Sequence, residues 1–204
     1  MIGDGMSSSE ALHSADAGHN AVRGLFERAA SAFRFVLTGV GGAHLDRPTP
    51  CEPFSVAELV PRAIGHQTWV RRRMQGRTEA PTYPPIERRR WVDAFGDSTA
   101  GLLIVLGDQA ALDGPVELAE GLVFSGEDVG VLAARNIFQF AWDLAVATDQ
   151  DPDLSPDVAA ELLEISRNRL VPQRGPNGFF GPEHVPPAGA PTATVLAGYL
   201  GRAV

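Results

Sequence analysis

The chain has 204 residues, 44% of them hydrophobic, and a formal net charge of −8. That size and composition suit one globular domain with a full hydrophobic core, and the acidic balance argues against nucleic acid or an anionic membrane as the main partner. All 17 basic residues are arginine, which excludes Schiff-base catalysis and a P-loop, both of which need a lysine.

No apolar run reaches the roughly 18 residues of a membrane span. The opening stretch lacks the basic region and apolar core of a secretory signal, so cytoplasmic residence is the default expectation. The single cysteine, Cys51, supports neither an internal disulfide nor a Cys-rich zinc site. It reads as a small buried hydrophobe rather than a reactive thiol. Heavy use of Arg, Ala, Gly and Pro suggests a GC-rich, actinobacterial genome.

Residues 1–15, rich in Ser, Gly and Ala, read as a disordered lead-in, and residues 16–204 as a single helical-bundle domain. Val22, Leu25, Phe26, Ala29, Phe33, Val36, Leu37 and Val40 recur at helical spacing and predict a first helix over 16–40, stopped by Gly41 and Gly42. Ser55 and Glu58 form a capping-box signature for a second helix. Pro61 lies beyond its first turn and predicts a kink. Residues 76–85 read as a loop, and a third helix is expected over 87–112. Val116–Leu118 and Leu122–Phe124 could pair as a short β-hairpin.

The fourth helix, 128–148, is the most informative. Ile137, Phe138, Phe140, Ala141, Trp142, Leu144, Ala145 and Val146 leave it without a broad polar side, as in a helix buried at the centre of a bundle. Yet Arg135, Asn136, Gln139 and Asp143 interrupt that surface. Buried polar groups need partners, at a cost of roughly 1–3 kcal/mol each without them. This helix should therefore carry a polar network or one wall of a site. A fifth helix begins at Ser155-Pro156, an N-cap serine with proline in the first turn. A short helix over 192–200 closes the chain. The fold class is all-α: four antiparallel helices in a bundle, with short connections and an extra C-terminal helix.

Three segments in order resemble the maleylpyruvate-isomerase-like branch of the DinB-like metal-binding bundles: PTPCEPFSVAELV (48–60), AWDLAVATDQDPDLSPDVA (141–159) and FFGPEHVPPAGAPTATVLAGYLGR (179–202). The resemblance spans residues 19–202. It implies a DinB-like four-helix bundle with a divalent metal, often zinc, at its centre. The ligands would be a His on the second helix and a Glu and a His four apart on the fourth. It also implies action on thiol cofactors or their adducts, as in mycothiol-dependent isomerases and transferases. At the three ligand positions this chain has Arg62, Asn136 and Phe140. Neither Arg nor Phe binds zinc, and Asn is a poor substitute for a carboxylate. The expectation is a degenerate centre with no metal and no cofactor.

Arg62, His66 and Trp69 share one face of the second helix, and Asn136, Phe140 and Asp143 repeat that spacing on the fourth. Arg62 would offer a fixed positive charge to a carboxylate or enolate oxygen. His66 would move protons, and Asp143 would complete the catalytic set. Asn136 and Gln139 would orient a carbonyl, with Trp69 and Phe140 shaping the pocket. The structural alternatives are an Arg62–Asp143 bridge, a satisfied His66, and Trp69 and Trp142 as core residues.

Three functions follow. One is a metal-independent enzyme that isomerises, cyclises or eliminates on a small carbonyl or carboxylate metabolite, with secondary metabolism as its setting. The second is a bundle that binds or sequesters a small molecule without catalysis. The third is a thiol-cofactor-dependent metalloenzyme with ligands relocated to His66, Asp143 and Glu58. The expected partner is a small molecule, not nucleic acid or a membrane, and a homodimer stays open. The Arg71–Arg73 and Arg88–Arg90 clusters read as solvated helix ends.

Overall fold

The periodic apolar residues of the first forty positions form α1 (Ser8–Thr38), with Val22 through Leu37 of that stripe buried. The computed structural model describes residues 8–172, 174 and 180–204, with side chains described from residue 20 onward. The helix starts at Ser8 rather than near Asp16, so part of the expected lead-in is helical. Residues 1–7 of that lead-in lie outside the described residues.

Helix α2 (Val56–Met74) opens at the expected box: the Ser55 amide donates to Glu58 Oε2 at 2.9 Å and the Ser55 hydroxyl to the same oxygen at 2.7 Å. It runs unbroken through the buried Pro61. The third helix is not one piece. A 3-10 turn (Arg88–Arg90) leads into α3 (Trp91–Val105), and a separate short α4 (Gln109–Asp113) follows. The break has a local cause. Asp108 accepts a hydrogen bond from the Ala110 amide at 3.0 Å and so caps a new helix immediately after Gly107.

Strands β1 (Pro115–Ala119) and β2 (Leu122–Ser125) form the expected antiparallel hairpin, with Val116 opposite Phe124 and a bulge between Glu117 and Ala119. Gly121 takes the left-handed turn position at φ 74°. Helix α5 (Gly126–Ala147) is buried along almost its whole length, including Arg135, Gln139 and Asp143. Helices α6 (Pro156–Asn168) and α7 (Thr192–Tyr199) pack on each other beside the bundle. The expected cap at Ser155 differs in detail. Ser155 sits at φ 33° and its hydroxyl makes no capping bond, so the fixed φ of Pro156 starts α6 without it.

The bundle helices pack as a ring. Helix α1 contacts α5 and α3, and α2 contacts α3 and α5, which leaves α1 and α2 diagonal to each other. Their directions follow from the contacts. Phe33 of α1 stacks on Phe95 of α3 at 4.7 Å, while Arg23 approaches Gly107 just past the end of α3, so α1 and α3 are antiparallel. Val22 lies against Gly130 of α5 while Gln150, past the end of α5, donates to the Val36 carbonyl at 3.0 Å, so α1 and α5 are parallel. Arg88 donates to the Val40 carbonyl, which puts the start of α3 at the same end as the start of α2. Helices α2 and α3 therefore run the same way.

This arrangement corrects the expectation of short antiparallel connections. The segment between α2 and α3 must travel back along the bundle before α3 begins. It also separates the two arginine clusters, which flank one loop in sequence but stand at opposite ends of the bundle.

The return segment lies directly on α2. A Cβ built on Gly65 would fall 2.7 Å from the Thr82 carbonyl oxygen and 2.8 Å from Tyr83 Cδ1. Only glycine permits that approach. Gly65→Ala should therefore lower stability by about 1–3 kcal/mol, read as an earlier urea-unfolding midpoint. An unchanged midpoint would mean the segment is not seated on α2.

Candidate functional site

A cavity of about 610 Å³ lies between α2 and α5. Its covers are the return segment at Pro81, the hairpin at Leu118, Ala119, Leu122 and Phe124, and the C-terminal region at Leu170–Pro172, Phe180, Leu200 and Arg202. This volume falls in the range of small-molecule sites. The two polar faces read from the sequence do meet here. Arg62, His66 and Trp69 from α2 line it together with Asn136, Gln139 and Phe140 from α5.

His66 Nε2 lies 3.2 Å from Asn136 Nδ2. In this orientation the amide donates and the imidazole accepts, which fixes the neutral ring with its proton on Nδ1. The ring also abuts Trp69 at 5.5 Å and Phe140 at 6.3 Å between centroids. Burial pushes the His66 pKa down to about 4, and the Arg62 charge pushes the same way. The imidazole is thus uncharged at neutral pH.

Arg62 is held differently from the expectation. Its guanidinium carbon sits 3.9 Å from the Phe54 ring centre and 4.3 Å from that of Tyr83, a cation between two aromatic faces. Among the described residues it makes no ion pair, so the anticipated bridge to Asp143 does not form. Asp143 is instead fully buried, away from the cavity lining. Arg202 grips it with two bonds of 2.8 Å, Nε to Oδ1 and Nη2 to Oδ2. Gln139 adds a longer contact of 3.5 Å to Oδ1. Burial raises the Asp143 pKa, and the Arg202 hydrogen bonds and charge oppose that rise. Asp143 thus serves as an anchor for the chain end rather than as a group facing the cavity.

Arg135, Arg169 and Cys51 also line the cavity, though the sequence reading placed none of them among the site residues. Arg135 is buried, donates to the Leu170 carbonyl at 2.8 Å, and lies over the Phe180 ring at 5.0 Å. Its position inside the apolar helix was the visible signal; its partners come from distant segments. Arg169 also lines the cavity and is paired with Glu127 and Asp128. Cys51 lines it too, half-buried rather than fully buried as expected, and desolvation raises its thiol pKa. Trp142 belongs to the core and donates to Thr194 Oγ1 at 3.2 Å. Trp69 carries a buried Nε1 without a hydrogen-bond partner among the described residues.

The donor set does not fit a metal. Arg62, Asn136 and Phe140 offer no ligand group of the right kind. Among the described residues no three His, Cys, Asp or Glu side chains converge. Of the relocated set, Glu58 is held by Ser55 and Asp143 by Arg202. No helix among the described residues is long and apolar enough to cross a membrane.

Fold and site together define a helical-bundle protein with an arginine-bearing, largely apolar internal cavity. The chain belongs to a family with mycobacterial members. It is 33% identical over 184 residues to "Uncharacterized protein Rv0738" of Mycobacterium tuberculosis (strain ATCC 25618 / H37Rv), covering 87% of this chain and 96% of the relative. The same values hold for "Uncharacterized protein MT0763" of Mycobacterium tuberculosis (strain CDC 1551 / Oshkosh). No protein-family model matches the chain, and no solved structure matches it.

Two outcomes follow from this electrostatic arrangement. Arg202→Met leaves Asp143 buried without its cation and should cost about 3–5 kcal/mol in urea unfolding; adding Asp143→Asn should restore part of that loss. His66 binds its proton less readily when folded than when unfolded. Its contribution is therefore complete above about pH 6.5 and is lost as pH falls toward 4, a loss of about 2–3 kcal/mol. His66→Gln should flatten that part of the stability–pH profile, and an unchanged slope would contradict the buried neutral ring.

Proposed function

We propose that this chain binds a small, largely apolar compound bearing a carboxylate or an enolisable carbonyl, and acts on it without a metal. The observation that carries this reading is Arg62, a cavity-lining guanidinium in contact with the Phe54 and Tyr83 rings and in no ion pair among the described residues. Two aromatic rings hold the guanidinium at the cavity, and its forked N–H groups suit a planar oxygen pair. The apolar walls would favour a ligand with a hydrocarbon or aromatic body.

The chemistry this supports is proton transfer. His66 would take a proton from a carbon next to the ligand's carbonyl, Arg62 would bind the resulting enolate oxygen, and the proton would return to a different carbon. Asn136 and Gln139 would orient the carbonyl. Asp143 has no part in this scheme. The DinB-like resemblance is compatible with it: Arg62, Asn136 and Phe140, the three positions counted from its motifs, surround His66. The chain would then be a member whose centre works through organic groups.

A second reading, ligand binding without turnover, is favoured by one observation. The lone pair that His66 needs as a base is occupied by the Asn136 amide, and burial makes that nitrogen weakly basic. One experiment separates the two. Calorimetric titration with 4-phenyl-2-oxobutanoate should show binding that Arg62→Met weakens about 10- to 100-fold. In deuterium oxide, NMR should show exchange at the carbon next to the ketone, abolished in His66→Gln. Binding without exchange selects the second reading, and absence of binding overturns both.

A further inference from the structure

Four arginines line the cavity. Arg169 and Arg202 each have carboxylate partners. Arg62 and Arg135 have none among the described residues, and Arg135 is the more deeply buried, at 4% exposure. Its Nη1 donates to the Leu170 carbonyl at 2.8 Å and reaches Ser166 Oγ at 3.5 Å. Its Nε is buried without a hydrogen-bond partner among the described residues. The neighbouring sequence, residues 173–179, contains no acidic residue. Burial pulls the guanidinium pKa down to about 10. Arg135 lines the cavity beside Leu170 and Phe180 as a buried cation with no carboxylate partner among the described residues, and such a charge favours an oxygen acceptor brought by a ligand.

Arg135 is not placed to share the oxygens held by Arg62. Arg62 lies four residues, about 6 Å of axial rise, before His66, against Phe54 and Tyr83. Arg135 is next to Asn136 on the facing helix. Consecutive helical residues diverge by about 100°, and Arg135 turns toward the end of α6 and Phe180. The two guanidiniums come from different helices, and Phe124, Leu132 and Phe140 add apolar lining to the cavity.

We propose that Arg135 is a second ligand-anchoring residue and that the ligand is elongated, with an apolar body and an oxygen acceptor at each end, one for Arg62 and one for Arg135. This rests on the ligand-binding reading of the cavity given above. It adds a length and a polarity requirement that a single anchor would not impose. Arg135 is thereby a specificity-determining residue, distinguishing two-ended ligands from simple carboxylates.

Calorimetric titration with two matched probes tests this: 4-phenylbutanoate, and 4-(4-acetylphenyl)butanoate, which adds a carbonyl at the far end. The acetyl probe should bind the unmodified protein about tenfold more tightly. Arg135→Met should erase that gain while leaving 4-phenylbutanoate binding in place, and Arg135→Lys should recover part of it. Ser166→Ala, which removes a structural contact of Arg135, should keep the gain. Arg62→Met should weaken both probes alike. Equal affinity of the two probes for the unmodified protein, or a gain surviving in Arg135→Met, overturns the second anchor while leaving the Arg62 site standing. Failure of both probes to bind overturns the ligand reading and this inference with it. If Arg135→Met does not fold, the Arg135→Lys comparison decides, since a purely structural arginine predicts no probe-dependent change.

Discussion

The buried pair between Asp143 and Arg202 organises much of what surrounds it. A carboxylate at full burial near the C-terminal end of α5 is tolerable only because a guanidinium meets both of its oxygens. That guanidinium comes from the residues just past α7, so the pair ties the C-terminal region to the bundle's central helix. Leu200 and Arg202 are thereby brought to the cavity, and α7 is held where Thr194 can accept from Trp142. Removing one partner would expose the cost of the other, so the pair is better understood as a constraint on position than as a source of net stability.

The cavity depends equally on chain direction. Because α2 and α3 run in parallel, the intervening chain must retrace the length of α2. The absence of a side chain at Gly65 lets that segment settle against the helix. It brings Tyr83 over Arg62 and Pro81 to the cavity rim. The charged group at the centre is therefore held by residues from both sides of α2: Phe54 before the helix and Tyr83 after it. Aromatic contact takes the place of an ion pair in holding the guanidinium.

Much of the scaffold was legible in the sequence, because periodicity and capping are local. The stripe of α1, the Ser55–Glu58 box and the hairpin all follow from spacing alone. The nearly continuous apolar surface of α5 marked its buried place, and the two polar faces that meet at His66 and Asn136 were each visible from spacing, though not their pairing. The break at Gly107-Asp108 was also written locally, but the apolar residues on either side outweighed it in reading one long helix. What was not legible depends on long-range partnership. Nothing near Asp143 indicates that Arg202 would claim it, nothing near Arg62 indicates two rings from opposite flanks, and the parallel run of α2 and α3 is a property of the connection rather than of either helix. Arg135 was conspicuous as a charge in an apolar helix, but its role required knowing that the end of α6 lies beside it.

The walls of the cavity divide into two kinds. The α2 and α5 faces belong to the load of the four-rod frame, where any change disturbs packing on several sides. The hairpin covers the cavity from outside that frame, through Leu118, Ala119, Leu122 and Phe124. Sequence drift there would retune which molecules are admitted at less cost to the fold than a change at Gly65 or Arg202, so that related chains with the same frame need not share a ligand.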